Sequence, residues 1–297
     1  MNKYIDLHFH SIYSEGGYSI PKLFTEAKKN NLSVLSLTDH NTITGVEEAL
    51  RIGQRENIKV IPGVEIYTSF GKHNLHLLGY NFNIYCSELQ KTLDKLAHQR
   101  LSDIEKSFAI LRKKGFKINE KRLFDTPSRY LGFGHIIAEL KKSPQNMKII
   151  KQNLKTKEPY FFDIINKYFG PKTKSYLPET SIPIKRAIEL IHHAGGLAVL
   201  AHPSQQIGWN DKLVEKLVKM GLDGLEILSP YHSWHNIEHW QNVANKLKLV
   251  ITGGSDFHGP LPDAQNLVIQ NQWQYFKVPY SVYTNLKPYL NRHKKNA

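Results

Sequence analysis

The stretch Tyr4-Ile5-Asp6-Leu7-His8-Phe9-His10 is an apolar run that passes directly into two histidines. Apolar residues in a short run predict a buried β-strand, and side chains two residues apart in a strand point to the same face. We therefore expect His8 and His10 to lie side by side. Two imidazoles on one face are typical of a metal site, although a single His-x-His pair also arises by chance in a chain with 15 histidines.

The same pattern recurs along the chain. Further apolar runs, such as Val34-Leu35-Ser36-Leu37, end in polar clusters, and segments of helical spacing lie between them over 20–30, 45–56, 184–194 and 212–220. Alternating strands and helices predict an α/β fold, either a parallel sheet or a β/α barrel, in which the strand ends meet in space. The residues at or near those ends include His40, Glu65, His76, His202, Asp256 and His258.

The middle of the chain breaks this rhythm. From Ser87 to Ser175 the spacing is helical, and residues 91–175 contain 20 basic and 8 acidic residues, which is +12 of the net charge of +14. We predict a basic helical insertion, or cap domain, over residues 87–175, inside a main domain of residues 1–86 and 176–297. Such a charge attracts phosphate-rich partners; the alternative is that these lysine-rich helices are simply solvated surface.

Composition narrows the class of protein. The chain has 297 residues, of which 40% are hydrophobic and 22% charged, as expected of a globular protein. No run approaches the roughly 18 apolar residues of a membrane span, and the N-terminus lacks an apolar signal core. We therefore expect a cytoplasmic protein, and nothing in the sequence indicates a membrane or an obligate protein partner. Cys86 is the only cysteine, so a thiolate zinc cluster is excluded.

Imidazoles and carboxylates gathered in one cleft are costly to bury unless a cation compensates them. Six histidines and two carboxylates are expected to converge here, so metal binding is the simplest explanation. Nitrogen and oxygen ligands without thiolate suit Zn²⁺, Mn²⁺ or Fe, and the number of ligands predicts two or three divalent ions.

The motifs that contain these residues resemble those of the polymerase and histidinol phosphatase (PHP) family of metal-dependent phosphoesterases. The matching motifs, in the family's order, are Asp6-Leu7-His8-Phe9-His10-Ser11, Thr38-Asp39-His40-Asn41, Gly63-Val64-Glu65, His76-Leu77-Leu78-Gly79-Tyr80, Leu200-Ala201-His202-Pro203 and Ser255-Asp256-Phe257-His258-Gly259. The resemblance implies a distorted (β/α)7 barrel with a mostly helical insertion. It also implies up to three metals held by nine ligands, namely His8, His10, Glu15, His40, Glu65, His76, His202, Asp256 and His258.

Two positions depart from the family's pattern. Where the family has Asp in Ser-Asp-Gly, this chain has Glu15, whose extra methylene displaces the carboxylate. Residues 187–203, Gly224-Leu225-Glu226-Ile227 and Ser229-Pro230-Tyr231-His232-Ser233 resemble one branch of the family. Its members are stand-alone enzymes that remove a phosphate from nucleoside 3′,5′-bisphosphates or degrade RNA from its 5′ end. That branch has Gly-Arg-Pro-His where this chain has Gly132-Phe133-Gly134-His135. Arg129 is a candidate replacement for the missing arginine, with an exposed surface role as the alternative.

Roles follow from the chemistry that the resemblance implies. Hydrolysis of phosphate esters of nucleotides or short single-stranded RNA by a metal-activated hydroxide needs a carboxylate between two ions, and Glu65 is our candidate. Asp39 is expected to orient an imidazole, with an ordinary helix N-terminal acid as the alternative. The candidates for contacting substrate phosphate or protonating the leaving group are Arg129, His135 and His232. Structural histidines are the alternative for the last two.

Three further interpretations stay open. Histidinol phosphate is a possible substrate, although the basic insertion favours a more highly charged one. The chain could be a non-catalytic nucleic-acid-binding module stabilised by metals, but no motif position has become apolar. It could also be a hydrolase of C–N bonds, but no lysine occupies a strand end where such enzymes commonly bridge their ions. Tyr176, Trp209 and Trp234 could stack on a base, with ordinary packing as the alternative.

Overall fold

The computed structural model describes residues 3–260 and 272–292, the last two of them by backbone only. The strands in these ranges are β1 (Tyr4–Phe9), β2 (Leu32–Leu37), β3 (Lys59–Val60), β4 (Gly63–Phe70), β5 (His73–Tyr80), β6 (Ile182–Pro183), β7 (Leu197–Leu200), β8 (Gly224–Leu228), β9 (Val250–Gly253) and β10 (Val278–Pro279). The helices are α1 (Ile20–Lys29), α2 (Val46–Glu56), α3 (Ser87–Lys113), α4 (Glu120–Phe124), α5 (Phe133–Lys141), α6 (Pro144–Leu154), α7 (Phe161–Tyr168), α8 (Ile184–His193), α9 (Pro203–Ile207), α10 (Asp211–Lys219), α11 (Trp234–Leu247), α12 (Gln272–Tyr275) and α13 (Tyr280–Arg292).

The predicted α/β fold is confirmed, and its helices lie where apolar residues repeat at helical spacing. In α8, Ile184, Ala187, Ile188 and Ile191 share one buried face, which packs on β4, β5 and β7. The four helices predicted from spacing begin and end within one residue of α1, α2, α8 and α10. Among the described residues, no helix has both the length and the apolar character needed to cross a membrane.

The strands form two sheets, ordered β10-β1-β2-β3 and β6-β4-β5-β7-β8-β9. Pairing is parallel along β1-β2-β3 and β7-β8-β9, but β5 is antiparallel to both β4 and β7. An all-parallel arrangement is therefore wrong for this part of the chain. Only Gly71 and Lys72 connect β4 to β5, and two residues can form a hairpin turn but not the helical crossover that parallel strands require.

Two isolated parallel bridges connect the sheets. Phe9 at the end of β1 pairs with Phe257 beyond β9, and His40 beyond β2 pairs with Glu65 in β4. Main-chain hydrogen bonds accompany them, from the His10 N–H to the Phe257 carbonyl at 2.9 Å and from the Asn41 N–H to the Glu65 carbonyl at 2.8 Å. These contacts bring the predicted ligand-bearing segments of both sheets to one place.

Helices α3 to α7 and the segments that connect them contribute to a separate hydrophobic core. That core is built entirely from residues between Leu101 and Leu177. The first turns of α3 belong instead to the main core, where Leu89, Leu93 and Leu96 are buried. The buried Arg100 lies at the junction, donating hydrogen bonds to the carbonyl oxygens of Leu131 at 2.8 Å and Pro178 at 2.7 Å. A single long helix thus joins the two regions.

Gly254 allows the closest approach between β1 and the segment after β9. A Cβ atom on Gly254 would overlap the main chain and Cβ of His8. We expect Gly254→Ala to destabilise the protein by about 1–3 kcal/mol because the backbone of a metal-ligand strand must shift. Thermal unfolding measures this loss, and Gly134→Ala is the control, since its Cβ would meet only Glu15 Oε1 at 3.6 Å. Equal unfolding temperatures for the two variants would contradict the steric argument.

Candidate metal centre

Eight of the nine predicted ligands lie in four groups whose donor atoms are within 4.8 Å of one another. The exception is Glu15, and one residue not predicted as a ligand, Glu226, joins a group. The groups are His8, His10, Glu65 and Asp256; Glu65, His76 and His202; His10, His40 and His258; and His8, His202 and Glu226. Residues from six separate segments of the chain therefore converge as the motif pattern predicts.

The first group has the spacing of ligands around one ion. Glu65 Oε2 lies 3.1 Å from His8 Nε2 and 3.3 Å from His10 Nε2, while Asp256 Oδ1 lies 3.3 Å and 2.9 Å from the same two atoms. Ligands bound at about 2.1 Å are about 3.0–3.4 Å apart. His8 Nε2 and Glu65 Oε2 are buried and make no hydrogen bond. The donor set therefore fits a divalent cation, which would satisfy both atoms.

Glu65 faces two groups at once. Its Oε2 points to the first group and lies 3.0 Å from His40 Nδ1, while its Oε1 lies 2.9 Å from His76 Nδ1 and 3.5 Å from His202 Nε2. The side chain is fully buried, and burial alone would raise its pKa. The surrounding histidines, His8 first, hold the pKa of Glu65 well below its usual value. This arrangement suits a carboxylate that bridges two ions.

The third group is a stack of imidazoles. The ring centroid of His10 lies 4.3 Å from that of His40 and 4.2 Å from that of His258. The Nδ1 of His258 lies 2.8 Å from the carbonyl of Asp256, to which it can donate, and this leaves Nε2 for a metal. Burial, together with the neighbouring His10, lowers the pKa of His258 to about 4. A neutral imidazole is the form that binds a cation.

Glu15 lies beside the third group but is held by other partners. Its Oε2 is 3.9 Å from His40 Nε2 and accepts a hydrogen bond from the Tyr67 hydroxyl at 3.4 Å, while its Oε1 accepts one from the Gly134 N–H at 3.3 Å. A Cβ atom at position 132 would overlap the Glu15 carboxylate, so any other residue there requires the Glu15 side chain to move. Metal binding by Glu15 stays a prediction.

Glu226 is the residue whose role the motif analysis missed. Its carboxylate lies 3.0 Å and 3.1 Å from His8 Nδ1 and accepts the His202 N–H at 2.9 Å, with both side chains fully buried. It thereby leaves His8 Nε2 directed at the first group, as carboxylates do behind metal-binding histidines. The available signal was a charged residue inside the apolar run Leu225-Glu226-Ile227-Leu228.

Asp39 organises the loop that follows β1. One oxygen accepts the Ser11 N–H at 2.8 Å and the Ser14 hydroxyl at 2.6 Å, and the other accepts the Ser11 hydroxyl at 2.6 Å. Ser14 Oγ lies 3.5 Å from His10 Nδ1. Both oxygens of the Asp39 carboxylate therefore accept hydrogen bonds from serines. Ser14 connects Asp39 to the His10 imidazole.

The predicted substrate contacts lie outside the four groups. Arg129 is exposed, whereas His135 is mostly buried near Glu15 with an unpartnered Nδ1. His232 is occupied on both ring nitrogens, because Nδ1 lies 2.8 Å from the Ile227 carbonyl and Nε2 accepts the Ser204 N–H at 3.2 Å. This pairing fixes a neutral His232 beside the cluster.

Backbone strain marks two of the ligand positions. His202 has a φ of 21° and Asp256 a φ of 53°, and Asn41, next to His40, has a φ of 50°. Such values are uncommon for residues with a side chain and persist where the surroundings impose them. These three are among eight non-glycine residues with positive φ in the described part of the chain.

Comparison with known proteins agrees with this geometry. Residues 6–235 match the PHP domain. The chain belongs to the PHP family. A 5′-3′ exoribonuclease of Haemophilus influenzae is 28% identical over 265 residues, covering 88% of this chain and 92% of that protein. A 3′,5′-nucleoside bisphosphate phosphatase of Chromobacterium violaceum is 28% identical over 262 residues, covering 86% and 87%. The predictions of the PHP family and of a metal-dependent phosphoesterase are confirmed.

Solved structures share the fold. A protein of Bifidobacterium adolescentis superposes with a TM-score of 0.73 at 21% identity and covers 96% of each chain. A protein of Chromobacterium violaceum, solved as an amidohydrolase with bound SO4 and no metal, has a TM-score of 0.70 at 26% identity, covering 89% of this chain and 90% of its own. The fold of this PHP protein is thus shared over nearly its whole length.

Glu226→Gln tests the carboxylate behind His8. The amide keeps the size of the side chain but removes the charge that orients the imidazole, so we expect metal affinity to fall by about 10- to 100-fold. Titration of the metal-free protein with Mn²⁺ followed by calorimetry gives the affinity. Glu189→Gln, on the half-exposed face of α8, is the control. An unchanged affinity in Glu226→Gln would remove this residue from the metal centre.

Metal binding by this PHP site should release protons. Burial opposes charge on His8 and His10, but carboxylates outweigh it, raising the pKa of His8 well above its usual value and that of His10 to about 9. The His10 imidazole is therefore protonated at pH 7 without metal, and affinity should rise as pH increases toward 9. Calorimetry in two buffers of different ionisation enthalpy detects the released protons. Heats that do not depend on the buffer would contradict this expectation.

Proposed function

We propose that this PHP phosphoesterase hydrolyses phosphate esters of nucleotides, either nucleoside 3′,5′-bisphosphates or short 5′-phosphorylated RNA. The observation that carries the proposal is Glu65, a buried carboxylate with His8, His10 and Asp256 around one oxygen and His76 and His202 near the other. The named activities of the Haemophilus and Chromobacterium relatives support a nucleotide substrate. The sulfate bound by the second Chromobacterium protein is a tetrahedral anion similar to phosphate.

We propose two or three divalent ions, Mn²⁺, Fe²⁺ or Zn²⁺, held by the first three groups. The first two groups each combine imidazole with carboxylate, whereas the third contains histidine alone unless Glu15 moves toward it. Divalent ions in such a site lower the pKa of water and neutralise phosphate oxygens. We therefore expect the sites that share Glu65 to bind more tightly than the third.

Residues of this chain outside the ligand set orient the site. Glu226 and Asp39 fix the segments that carry His8 and His10, so that neither imidazole must reorganise during the reaction. We propose that Arg129 and His135 contact the phosphate of the substrate. Because both nitrogens of His232 are already paired, we propose that it holds the start of α9 rather than protonating the leaving group.

Two architectural proposals accompany the function. The bridges Phe9–Phe257 and His40–Glu65 support a closed ring of seven strands, β1-β2-β4-β5-β7-β8-β9, which is the distorted barrel expected of the family.

The basic segment 87–175 supports a cap that attracts phosphate-rich substrates to the ring's polar end. A cytoplasmic location stays a prediction from the sequence.

Phosphate release tests the proposed function directly. The metal-free protein is reconstituted with Mn²⁺, Fe²⁺ or Zn²⁺ and given adenosine 3′,5′-bisphosphate or a short 5′-phosphorylated RNA. We expect turnover that a chelator abolishes, and its loss in His202→Ala because an ion site then lacks an imidazole. His193→Ala, whose side chain is 64% exposed, is the control. Full activity in His202→Ala, or no cleavage with any metal, would contradict the proposal.

A further inference from the structure

Trp209 is an exposed indole that is nevertheless held in place. Its side chain is 60% exposed, yet its ring stacks on that of His239 with centroids 4.6 Å apart and an interplanar angle of 8°. The indole N–H donates to Asn236 Oδ1 at 2.8 Å, and His239 Nε2 lies 2.8 Å from Asp211 Oδ1. One face of the indole is thus covered by an anchored imidazole.

Trp209 lies seven residues after His202 along the chain. Helix α9 begins at Pro203, immediately after His202. Gln206 in α9 accepts the His76 N–H at 2.6 Å and donates to the Ala201 carbonyl at 2.6 Å. Helix α9 ends at Ile207 and rises about 1.5 Å per residue, and the two residues after it span at most about 7 Å, so the Trp209 Cα lies within roughly 15 Å of the His202 Cα. The base of the substrate's own or the adjoining nucleotide lies at a comparable distance from the reacting phosphate.

A rigid exposed indole is well suited to bind a flat apolar ring. Stacking on a tryptophan that is already immobilised costs little conformational entropy. Base–aromatic stacking contributes about 1–3 kcal/mol per base and does not depend on which base is present. The base of a nucleotide is such a ring, and the proposed function brings a nucleotide to the metal centre that precedes Trp209 along the chain.

We propose that the outer face of Trp209 is a stacking platform for the nucleobase of the substrate. This platform selects nucleoside phosphates over sugar phosphates. The proposal rests on the proposed function. It assigns one of the three aromatic residues considered from sequence. Trp234, which is 84% exposed, is the first residue of α11, two residues before Asn236.

Paired substrates isolate the contribution of the base. Adenosine 3′,5′-bisphosphate is compared with methyl riboside 3,5-bisphosphate, which has both phosphates but no base. In Trp209→Ala we expect the ratio of their kcat/KM values to fall by about 5- to 100-fold, mainly through KM for the nucleotide. Trp209→Phe should retain part of this preference because it keeps an aromatic face. An unchanged ratio in Trp209→Ala would overturn the proposal.

Tyr85→Ala is the matched control. Tyr85 is 67% exposed and follows β5, whose last residue pairs with Leu197 at the start of β7, the end away from His202. Its loss should leave the ratio as in the native protein. A fall in the ratio equal to that of Trp209→Ala would overturn a specific role for Trp209.

Binding without turnover separates this proposal from the proposed function. Two of the four tryptophans, Trp240 and Trp273, are buried, so AMP should quench the fluorescence of the native protein through an exposed indole. We expect the quenching to be lost in Trp209→Ala, with the unfolding temperature showing that the variant is folded. Quenching retained in that variant, or nucleotide hydrolysis without quenching in the native protein, overturns the platform but not the hydrolase. Failure of both hydrolysis and quenching overturns both.

Discussion

The buried carboxylate of Glu65 is the group around which the rest of the site is arranged. It has no exposure to solvent and faces imidazoles through both oxygens, so its charge is compensated only by what the surrounding segments bring to it. Those segments must approach closely, which explains glycine at 63 and 254, where a Cβ would overlap Ser36 and His8. The burial of the Glu65 charge therefore requires the close approach of the backbone segments around it.

The direction of β5 follows from the same requirement. His76 lies in the first half of β5, whereas the predicted ligands that follow the ends of their strands are His10, His40, His202, Asp256 and His258. A parallel β5 would place this histidine at the opposite edge, but the hairpin reverses the strand and returns His76 to Glu65. The two-residue turn at Gly71 and Lys72 is therefore needed to bring His76 to Glu65.

The insertion contacts the site through Glu15. The start of α5 supplies the Gly134 N–H to this carboxylate, and glycine at 132 leaves room for its longer side chain. Because Arg100 connects α3 to the carbonyls of Leu131 and Pro178, the position of this loop is tied to the helix that also enters the main core. The third group of histidines is therefore the one whose surroundings depend on the insertion.

The sequence by itself determined the family and the α/β class, and its motifs contain eight of the residues that the structure brings together, because these features depend on local runs of a few residues. Only the tertiary structure decided the role of Glu226, which meets His8 from 218 positions away. It also decided the pairing of His232, the partners of Glu15 and the covered face of Trp209. Each of these depends on which atoms fill the space opposite a side chain, and spacing along the chain does not specify that.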